Sequence, residues 1–517
     1  SSDEARKIRE HNFELILNVT SQGPFINVSF DKSAFFQEMV FQVLNSNGEF
    51  GETNKNKNKN AFIEYSSPNI AKPIGVGHLR STIIGESLSR IYEATGFDVK
   101  RVNYLGDWGT QFGQLKVSYE KWGDREKIKQ NPLKELKDLY VKFQEKAKEE
   151  KSLNQEARKE FQKLEQGNKE AKEMWRQFRE WSIQGFKKVY KRLGVEFDEY
   201  SGESFAAEQA KKEIKKCLDN EIAEKNDDGS IGTSFDNLPS TVLQKEDGST
   251  LYLTRDLATL KRRVEECNID SLLYVVDARQ SLHFQQLFTM AQKLGYLENI
   301  EAKHIKFGLL MVDGSPMSTR EGTLIQLEEL LKKSTDKAKK IISEKNPELN
   351  SKKKEEVAES VGIGAIIYND LKQDRTKNVE FNWDRMLNFE EGSGPYLQYA
   401  HARAKSLMAK SNFNENEIVK FDKEYFDYSK DVSLDLAKEI MWFPEKVQSA
   451  QKNDTPHIIA NFLDNVASKF NSFYAKAPVL NAENESLKKS RLALVKATSE
   501  VLSKGLYLLN IDAPDQM

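Results

Sequence analysis

The alternation of apolar and polar residues predicts an α/β segment in the first two thirds of the chain. Residues 61–65 alternate apolar and polar side chains, as a short strand does. Apolar residues then recur at helical spacing over 79–92. Residues 99–104 and 304–312 predict further strands, and 272–277 form an unbroken apolar run typical of a strand buried in a parallel sheet.

The pattern changes beyond about residue 336, where strand-like segments stop. Helical periodicity then continues over 354–373, 394–411, 434–450, 456–475 and 485–508. Consecutive amphipathic helices with short connections are typical of a helical bundle. The C-terminal third is therefore predicted to be an α-helical domain.

A long segment rich in Lys and Glu separates the two halves of the predicted sheet. Residues 119–195 carry apolar side chains three and four positions apart, so they predict amphipathic helices whose charged faces meet solvent. No repeat period emerges, which excludes a solenoid. We therefore interpret about 119–250 as an insertion in the α/β domain.

Three domains are expected. Residues 1–58 should form a small α/β piece and a linker, because 54–60 alternate Asn and Lys in a polar, low-complexity run. This piece looks short and begins without methionine, so we expect it to be truncated. Residues 59–340 should form an α/β domain with a doubly wound parallel sheet, and 341–517 the helical domain.

Composition and charge exclude several classes of protein. Lys and Arg number 78 against 80 Asp and Glu, so a net charge of −2 gives no global positive field, and RNA binding would need local patches. Two cysteines, Cys217 and Cys267, exclude a disulfide framework and predict a cytoplasmic protein. The His and Cys residues lack zinc-ligand spacing, so no metal ligands are predicted. No apolar run approaches the roughly 20 residues that a membrane span requires.

The candidate chemistry centres on residues 65–78, which join the first predicted strand to its helix and contain two prolines and two glycines. Such a strand–loop–helix aims backbone N–H groups and the positive end of a helix dipole at the loop, so we expect an anion there. Gly75 and Gly77 let a ligand approach the backbone closely, and His78 can donate to a phosphate. The two glycines alone would fit a turn in any α/β protein.

The complete stretch is more specific than its glycines. Ser-Pro-Asn-x-x-Lys-Pro at 67–73, followed by Gly-His-Leu-Arg-Ser-Thr at 77–82, resembles the ATP-binding signature of class I aminoacyl-tRNA synthetases, in particular the arginyl-tRNA synthetase family. The resemblance continues through Tyr-Leu-Gly-Asp-Trp-Gly-Thr-Gln-Phe-Gly at 104–113 and covers nearly the whole chain from about residue 23. It departs at Gly75, where the family usually has histidine, so one phosphate or adenine contact is expected to be missing or replaced.

A second segment, 313–323, resembles the Lys-Met-Ser-Lys-Ser signature in its degenerate arginyl form. Pro316 stands where the first lysine would be, and Arg320 supplies the remaining cation. In family members with such a weakened signature an upstream lysine is thought to compensate, and Lys72 has that position. The resemblance implies ATP with Mg²⁺ as cofactors. It implies catalytic roles for Lys72, His78 and Arg320, and ATP contacts at Gly75, Gly77, His78, Met317 and Ser318.

The resemblance also implies a Rossmann-like catalytic domain that joins L-arginine to the 3′ adenosine of tRNA(Arg) through an arginyl-adenylate. The first step is an in-line attack of a carboxylate on the α-phosphate, which needs positioning and charge stabilisation but no protein nucleophile. A guanidinium keeps its proton, so its pocket needs carboxylates arranged as a fork, and Glu203 and Asp256 are the candidates. The predicted arginine-binding residues are Ser67, Asn69, Lys72, Glu203, Tyr252, Asp256 and Gln280.

Residues 394–403 and 505–514 resemble the anticodon-binding bundle of this family. Aromatic and Arg side chains stack on the splayed bases of RNA loops, so Tyr396 and Arg403 are predicted to contact tRNA, and Met517 is predicted to do so from the final helix. Tyr399 is expected to pack inward or at the domain junction. The predicted partners are tRNA(Arg), L-arginine and ATP, bound by a monomer.

Two alternatives stay open at this stage. One is a class I synthetase for another amino acid, which the paired acids Glu203 and Asp256 disfavour because they suit a cationic side chain. The other is a synthetase-like tRNA-binding protein without catalysis, which Gly75 and Pro316 motivate. The retained arginine-site residues argue against it.

Overall fold

The computed structural model describes residues 16–70, 72, 74–312, 314–316, 326–411 and 431–517. These residues form two compact units. The first consists of Asn54–Lys333 with Gln373–Asn382, and the second of the residues up to Thr53 with Ser334–Lys372 and Trp383–Met517.

The strands are β1 Ile16–Gln22, β2 Phe25–Phe30, β3 Asn60–Glu64, β4 Asp98–Leu105, β5 Glu199–Gly202, β6 Glu224–Lys225, β7 Ile231–Thr233, β8 Thr241–Gln244, β9 Ser271–Tyr274, β10 Glu301–His304, β11 Leu310–Val312, β12 Ser315–Pro316 and β13 Val379–Glu380.

The helices are α1 Lys32–Asn45, α2 Leu79–Ala94, α3 Thr110–Trp122, α4 Arg125–Gln130, α5 Pro132–Glu149, α6 Ser152–Glu165, α7 Lys169–Leu193, α8 Ala207–Asp219, α9 Tyr252–Glu266, α10 Ser281–Lys293, α11 Leu327–Lys345, α12 Ser351–Leu371, α13 Trp383–Met386, α14 Gly394–Ser411, α15 Asp431–Met441, α16 Phe443–Lys452, α17 His457–Lys476 and α18 Glu485–Leu508.

A parallel sheet forms the centre of the first unit, and its five described strands have the order β10–β9–β3–β4–β5. The chain builds outward from β3 to β4 and β5, and then returns to place β9 and β10 on the other side of β3. In such doubly wound sheets, ligands bind beyond the carboxyl ends of the strands where the order reverses. The signature loop follows β3 directly, so it lies at this point, and the predicted fold class is confirmed.

The strand predicted over 304–312 is wrong in its extent. The chain leaves the central sheet after His304, and β11 instead pairs with β12 and β13 in a separate small sheet. A Cβ on Gly308 would lie 2.5 Å from the carbonyl oxygen of Lys377, so this position needs glycine where the two segments approach. From Leu310 onward the chain pairs with Val379 and Glu380 instead of with the central sheet. Strand β13 also shows that strands do not stop at residue 336.

The second unit is mainly helical, as the periodicity predicted. Helices α14 and α18 have the predicted bounds, 394–411 and 485–508. The helix predicted over 434–450 is wrong, because two helices, α15 and α16, meet at Trp442. Pro444 stands in the first turn of α16, where its missing N–H costs nothing.

The N-terminal piece belongs to the second unit. Strands β1 and β2 form an antiparallel hairpin whose turn contains Gly23 at φ +59°. The ring of Phe50 stacks on Phe443, with centroids 6.3 Å apart, and Glu52 pairs with Lys504 of α18. Among the described residues, no helix is long and apolar enough to cross a membrane.

Candidate active site

The turn that follows β3 has an unusual backbone. Ser66 and Ser67 both have positive φ, at 73° and 50°, a region that residues with a side chain rarely adopt. The Ser66 N–H donates to Ser81 Oγ at 2.9 Å, and the Ser67 N–H donates to Asn103 Oδ1 at 3.2 Å. The Ser67 hydroxyl oxygen is buried without a hydrogen-bond partner in the described part of the chain. A buried hydroxyl normally has a partner, so a ligand is expected to supply it.

Asn69 lies where the loops after β3 and β4 meet. Its neighbour Ile70 donates its N–H to the carbonyl of Gly106 at 3.2 Å, and Gly106 donates to the carbonyl of Pro68 at 3.2 Å. A Cβ on Gly106 would lie 1.9 Å from Asn69 Oδ1. Gly106 therefore leaves room for the Asn69 side chain, which explains a glycine at this position of the 104–113 motif.

The signature glycine and histidine lie between this turn and α2. Gly75 is extended, with φ −83° and ψ 163°, and Val76–His78 form one 3₁₀ turn before the helix begins. Burial lowers the pKa of His78, and the nearby charge of Lys72 lowers it further. His78 Nδ1 lies 3.3 Å from the Gly75 carbonyl oxygen. Bound phosphates would raise this pKa again, so the imidazole is suited to take up a proton as they arrive.

Lys72 is positioned by the insertion. Its Nζ lies 4.8 Å from the ring centroid of Tyr140, which belongs to α5. No ion pair to Lys72 is found among the described residues. The ammonium group is therefore held by an aromatic ring and not neutralised by a carboxylate, so its charge remains available to an anion.

A small cavity adjoins the signature glycine. It measures about 60 Å³ and is lined by Val76, Gly77, Arg80, Asp277, Arg279 and residues 307–310. A Cβ at Gly77 would meet nothing within 4 Å, so the space beside the backbone is open. The Arg80 guanidinium donates to the carbonyl of Lys377 at 2.9 Å and so forms a fixed wall. The cavity adjoins the carboxyl end of β9, where a nucleotide binds in doubly wound sheets.

The two predicted guanidinium-binding acids each have a partner within the protein. Glu203 Oε2 lies 3.3 Å from a guanidinium nitrogen of Arg255, and Asp256 Oδ2 lies 2.7 Å from His283 Nε2. Burial raises the pKa of Glu203 to about 7, and the charge of Asp256 adds to the shift although Arg255 opposes it. The charge of Asp256 therefore acts on Glu203, and Arg255, which contacts Glu203, is the neighbour of Asp256 in α9.

Two further residues were predicted to bind arginine: Tyr252, which lies in α9 with Asp256, and Gln280, which lies after β9. Tyr252 is the first residue of α9 and is 68 % exposed, so its ring is available to cover a ligand beside Asp256. Gln280 ends the short 3₁₀ turn after β9 and is exposed. Predicted residues Met317, Ser318 and Arg320 lie outside the described residues.

The sequence analysis gave no role to Arg255, His283 or Glu64. Arg255 and His283 contact the two acids, and Glu64, the last residue of β3, forms a buried ion pair with Arg263. Burial raises the pKa of Glu64, with a further increase from Asp256, so Glu64 lies within the field of the predicted acids. Its position at the carboxyl end of the first strand was a signal that could have identified it.

The predicted tRNA residues of α14 have different environments. Tyr396 is buried, and its hydroxyl accepts a hydrogen bond from Asn471 Nδ2 at 2.9 Å. Arg403 lies between the rings of Tyr399 and Tyr474, at 4.7 and 4.9 Å, and donates to Asn471 Oδ1 at 2.8 Å.

Both of these rings are accessible. Tyr399 is 37 % exposed and Tyr474 is 41 % exposed, so the inward placement of Tyr399 is wrong. The Arg403 guanidinium and the Phe389 ring contact Tyr399 and leave part of its ring accessible. Tyr474 was missed in the sequence because it lies 71 positions from Arg403.

Residues 512–515 contact the same helix, α14. Gln398 Nε2 donates to the carbonyl of Asp512 at 2.8 Å, and His401 Nδ1 lies 3.1 Å from the carbonyl oxygen of Pro514. Lys405 lies 3.6 Å from Asp515. These contacts hold the segment that leads to Met517, the remaining residue that was predicted to contact tRNA.

Comparisons with known proteins agree with this geometry. The model for the class I tRNA synthetase (R) catalytic domain matches residues 39–383, and the model for the DALR anticodon-binding domain matches residues 397–517. The chain belongs to the arginyl-tRNA synthetase family. An arginine–tRNA ligase of Exiguobacterium is 41% identical over 509 residues, which cover 98% of this chain and 89% of the relative.

Two solved structures show the same fold. The arginyl-tRNA synthetase of Plasmodium falciparum has a TM-score of 0.81 and 28% identity, over 100% of this chain and 89% of its own. That of Thermus thermophilus has a TM-score of 0.81 and 23% identity, over 100% of this chain and 91% of its own. The predicted family and enzyme class are confirmed. The alternative of a synthetase for another amino acid is not supported.

The raised pKa of Glu203 predicts a pH-dependent affinity for arginine. A protonated Glu203 cannot form an ion pair with a guanidinium, and its pKa is about 7. The Kd for arginine should therefore fall about tenfold between pH 6 and pH 8, as Glu203 loses its proton, and change little at higher pH. Calorimetric titrations across this range measure it. The Glu203→Gln variant should bind arginine more weakly but with little pH dependence, and an unchanged pH profile in this variant would contradict the assignment.

Proposed function

We propose that this chain joins arginine to tRNA in two steps, through an arginyl-adenylate formed from ATP. The observation that carries the proposal is the pair Glu203 and Asp256. Glu203 follows β5 directly, and its carboxylate contacts Arg255, the residue next to Asp256. A pair of anions suits a guanidinium, the most persistently charged side chain among the amino acids.

The two ends of the substrate would have different partners. Glu203 and Asp256 would bind the guanidinium, with Tyr252 and Gln280 beside them. Ser67, whose hydroxyl lacks a partner among the described residues, and Asn69 would hold the amine and carboxylate end. Because Arg255 contacts Oε2 of Glu203, the other oxygen of this carboxylate is the one that a bound arginine would approach first.

Charge on the phosphates would be neutralised from the signature loop. Lys72, which lacks a carboxylate partner in the described residues, and His78 would contact them, while Gly75 and Gly77 let the nucleotide approach the backbone. We extend the proposal to Arg320, Met317 and Ser318 on the resemblance of their segment to the second signature. Mg²⁺ would arrive with ATP, held mainly by phosphate oxygens and water. The described residues contain no group of three or more acidic, His or Cys side chains suited to a metal.

Selectivity against lysine follows from the acids. An ammonium group lacks the planar fork, so a buried carboxylate would stay partly unpaired, at a cost of roughly 3–5 kcal/mol. Discrimination of this size requires no separate editing site.

The helical domain, assigned to 341–517, would bind the anticodon arm of tRNA(Arg). The exposed rings of Tyr399 and Tyr474, separated by the Arg403 guanidinium, offer stacking surfaces of the kind that bind splayed RNA bases. Met517 would lie near them, and Tyr396 would act through Asn471. We further propose that 1–58 is an add-on piece, 59–340 the catalytic domain, and the protein a cytoplasmic monomer.

The activity is tested with labelled arginine and total tRNA, with and without ATP. We expect ATP-dependent arginylation, and pyrophosphate exchange that requires tRNA, as is usual in this family. Exchange with lysine or leucine at a similar rate would contradict the proposed specificity.

The role of Lys72 is tested by removing its charge. Lys72→Ala should lower kcat at least about tenfold, because one charge-assisted contact contributes roughly 1.5–3 kcal/mol. Lys72→Arg keeps the charge and should retain much of the activity. Wild-type kinetics in the alanine variant would show that other groups neutralise the phosphates. Gly75→His should be tolerated, since the extended backbone at φ −83° accepts any side chain.

The RNA surface is tested at Tyr474. Tyr474→Ala should raise the KM for tRNA about tenfold, since stacking of one base contributes roughly 1–3 kcal/mol. The KM for arginine should not change. Tyr474→Phe keeps the ring and serves as the matched control. An unchanged KM for tRNA in the alanine variant would place the anticodon contacts elsewhere.

A further inference from the structure

Helix α7, the longest helix of the insertion, contacts both ends of the proposed arginine site. It runs over 25 residues, from Lys169 to Leu193, and lies outside the two signatures. Its C-terminal turns reach the strained turn after β3, and its middle reaches the loops after β4 and β5. These contacts are polar and specific, unlike the apolar packing expected of an amphipathic insertion.

At one end, Tyr190 holds the serine turn. Its hydroxyl lies 2.7 Å from Ser66 Oγ and accepts a hydrogen bond from Asn103 Nδ2 at 2.9 Å. Oδ1 of the same Asn103 accepts the N–H of Ser67. Tyr190 is 1 % exposed, and burial raises the pKa of its phenol, so the hydroxyl keeps its proton at physiological pH.

Thr82 extends these contacts to the first signature. Thr82 Oγ1 donates to Ser66 Oγ at 2.9 Å and to the His78 carbonyl at 2.7 Å, so its single proton is shared between two acceptors. Ser66 Oγ therefore contacts both Tyr190 and Thr82, and Thr82 links this group to the backbone of His78.

At the other end, α7 holds the loop that carries Glu203. Arg179 Nε donates to Asp107 Oδ2 at 2.9 Å, and another nitrogen of this guanidinium donates to the carbonyl of Tyr200 at 2.7 Å. Asp107 in turn accepts the N–H and hydroxyl of Ser204, each at 3.0 Å. Ser204 is the neighbour of Glu203, so Arg179 fixes the backbone from which this carboxylate extends.

We propose that α7 positions the two ends of the arginine site: Tyr190 sets the serine turn that faces the amine and carboxylate, and Arg179 sets the Glu203 loop that faces the guanidinium. This inference rests on the proposed roles of Ser67 and Glu203. Tyr190 and Arg179 touch no substrate. They act by keeping Ser66 and Ser67 in a strained backbone conformation, and by fixing the spacing of the two ends.

The test removes one contact at a time. Tyr190→Phe deletes only the hydroxyl, and Arg179→Lys keeps a charge but cannot contact Asp107 and the Tyr200 carbonyl together. Each should raise the KM for arginine about tenfold while the KM for ATP stays within about twofold. Tyr296→Phe is the matched control. It removes a hydroxyl that donates to Glu213 in the same unit, away from the signature loop, and should leave both KM values unchanged.

A competitive inhibitor distinguishes the effects of the two variants on the two ends of the arginine site. Butylguanidine carries a guanidinium but neither amine nor carboxylate. Its inhibition constant should rise in Arg179→Lys and stay near the wild-type value in Tyr190→Phe. If instead both variants change the KM for arginine and ATP alike, or match Tyr296→Phe, the positioning role is overturned.

Two further variants distinguish failure of this inference from failure of the proposed site. Ser67→Ala and Glu203→Gln should each raise the KM for arginine. If they do so while Tyr190→Phe and Arg179→Lys do not, the arginine site stands and the inference falls. If they have no effect, the assigned site is wrong. Should Tyr190→Phe fail to fold by circular dichroism, Ser66→Ala removes the other hydroxyl of the same bond and should produce the same selective rise in KM.

Discussion

Two consecutive residues at positive φ, Ser66 and Ser67, are the constraint on which the proposed site depends. This conformation bends the chain directly after β3, so that the Ser67 hydroxyl, Asn69 and the signature loop lie beyond one strand end. It is strained for any residue with a side chain and persists only where surrounding groups enforce it. Here Ser81, Asn103 and Tyr190 provide that enforcement through short hydrogen bonds.

The acids at the other end of the site are held by side chains of the protein. Glu203 contacts Arg255 and Asp256 contacts His283, so each carboxylate has a partner before any ligand arrives. The compensation of Glu203 is incomplete, because its pKa remains near 7. An arriving guanidinium would supply the missing positive charge. Burial of the Glu203 carboxylate, which disfavours its ionised form in the free protein, therefore favours the binding of a cationic ligand.

The sequence predicted the fold, the family and the position of the signature loop, since each depends on local patterns. The bounds of α14 and α18 follow directly from periodicity and a preceding Ser or Asn. The change of sheet beyond His304 was missed because β11 pairs with β13, 69 positions away along the chain. The contacts of Arg255 and His283 were not predicted for the same reason, because spacing along the chain does not show which side chain meets which carboxylate.

Helix α7 illustrates a deeper limit of periodicity. Phe178, Phe186 and Tyr190 are all fully or almost fully buried, and their spacing of four and eight marks them equally as core residues. Only the hydroxyl of Tyr190 separates it from the two phenylalanines. A buried phenol requires a hydrogen-bond partner, whereas a buried phenyl ring requires only volume. A buried tyrosine on an otherwise apolar helical face can therefore form a hydrogen bond to a neighbouring site, and Tyr190 forms one with Ser66 of the serine turn.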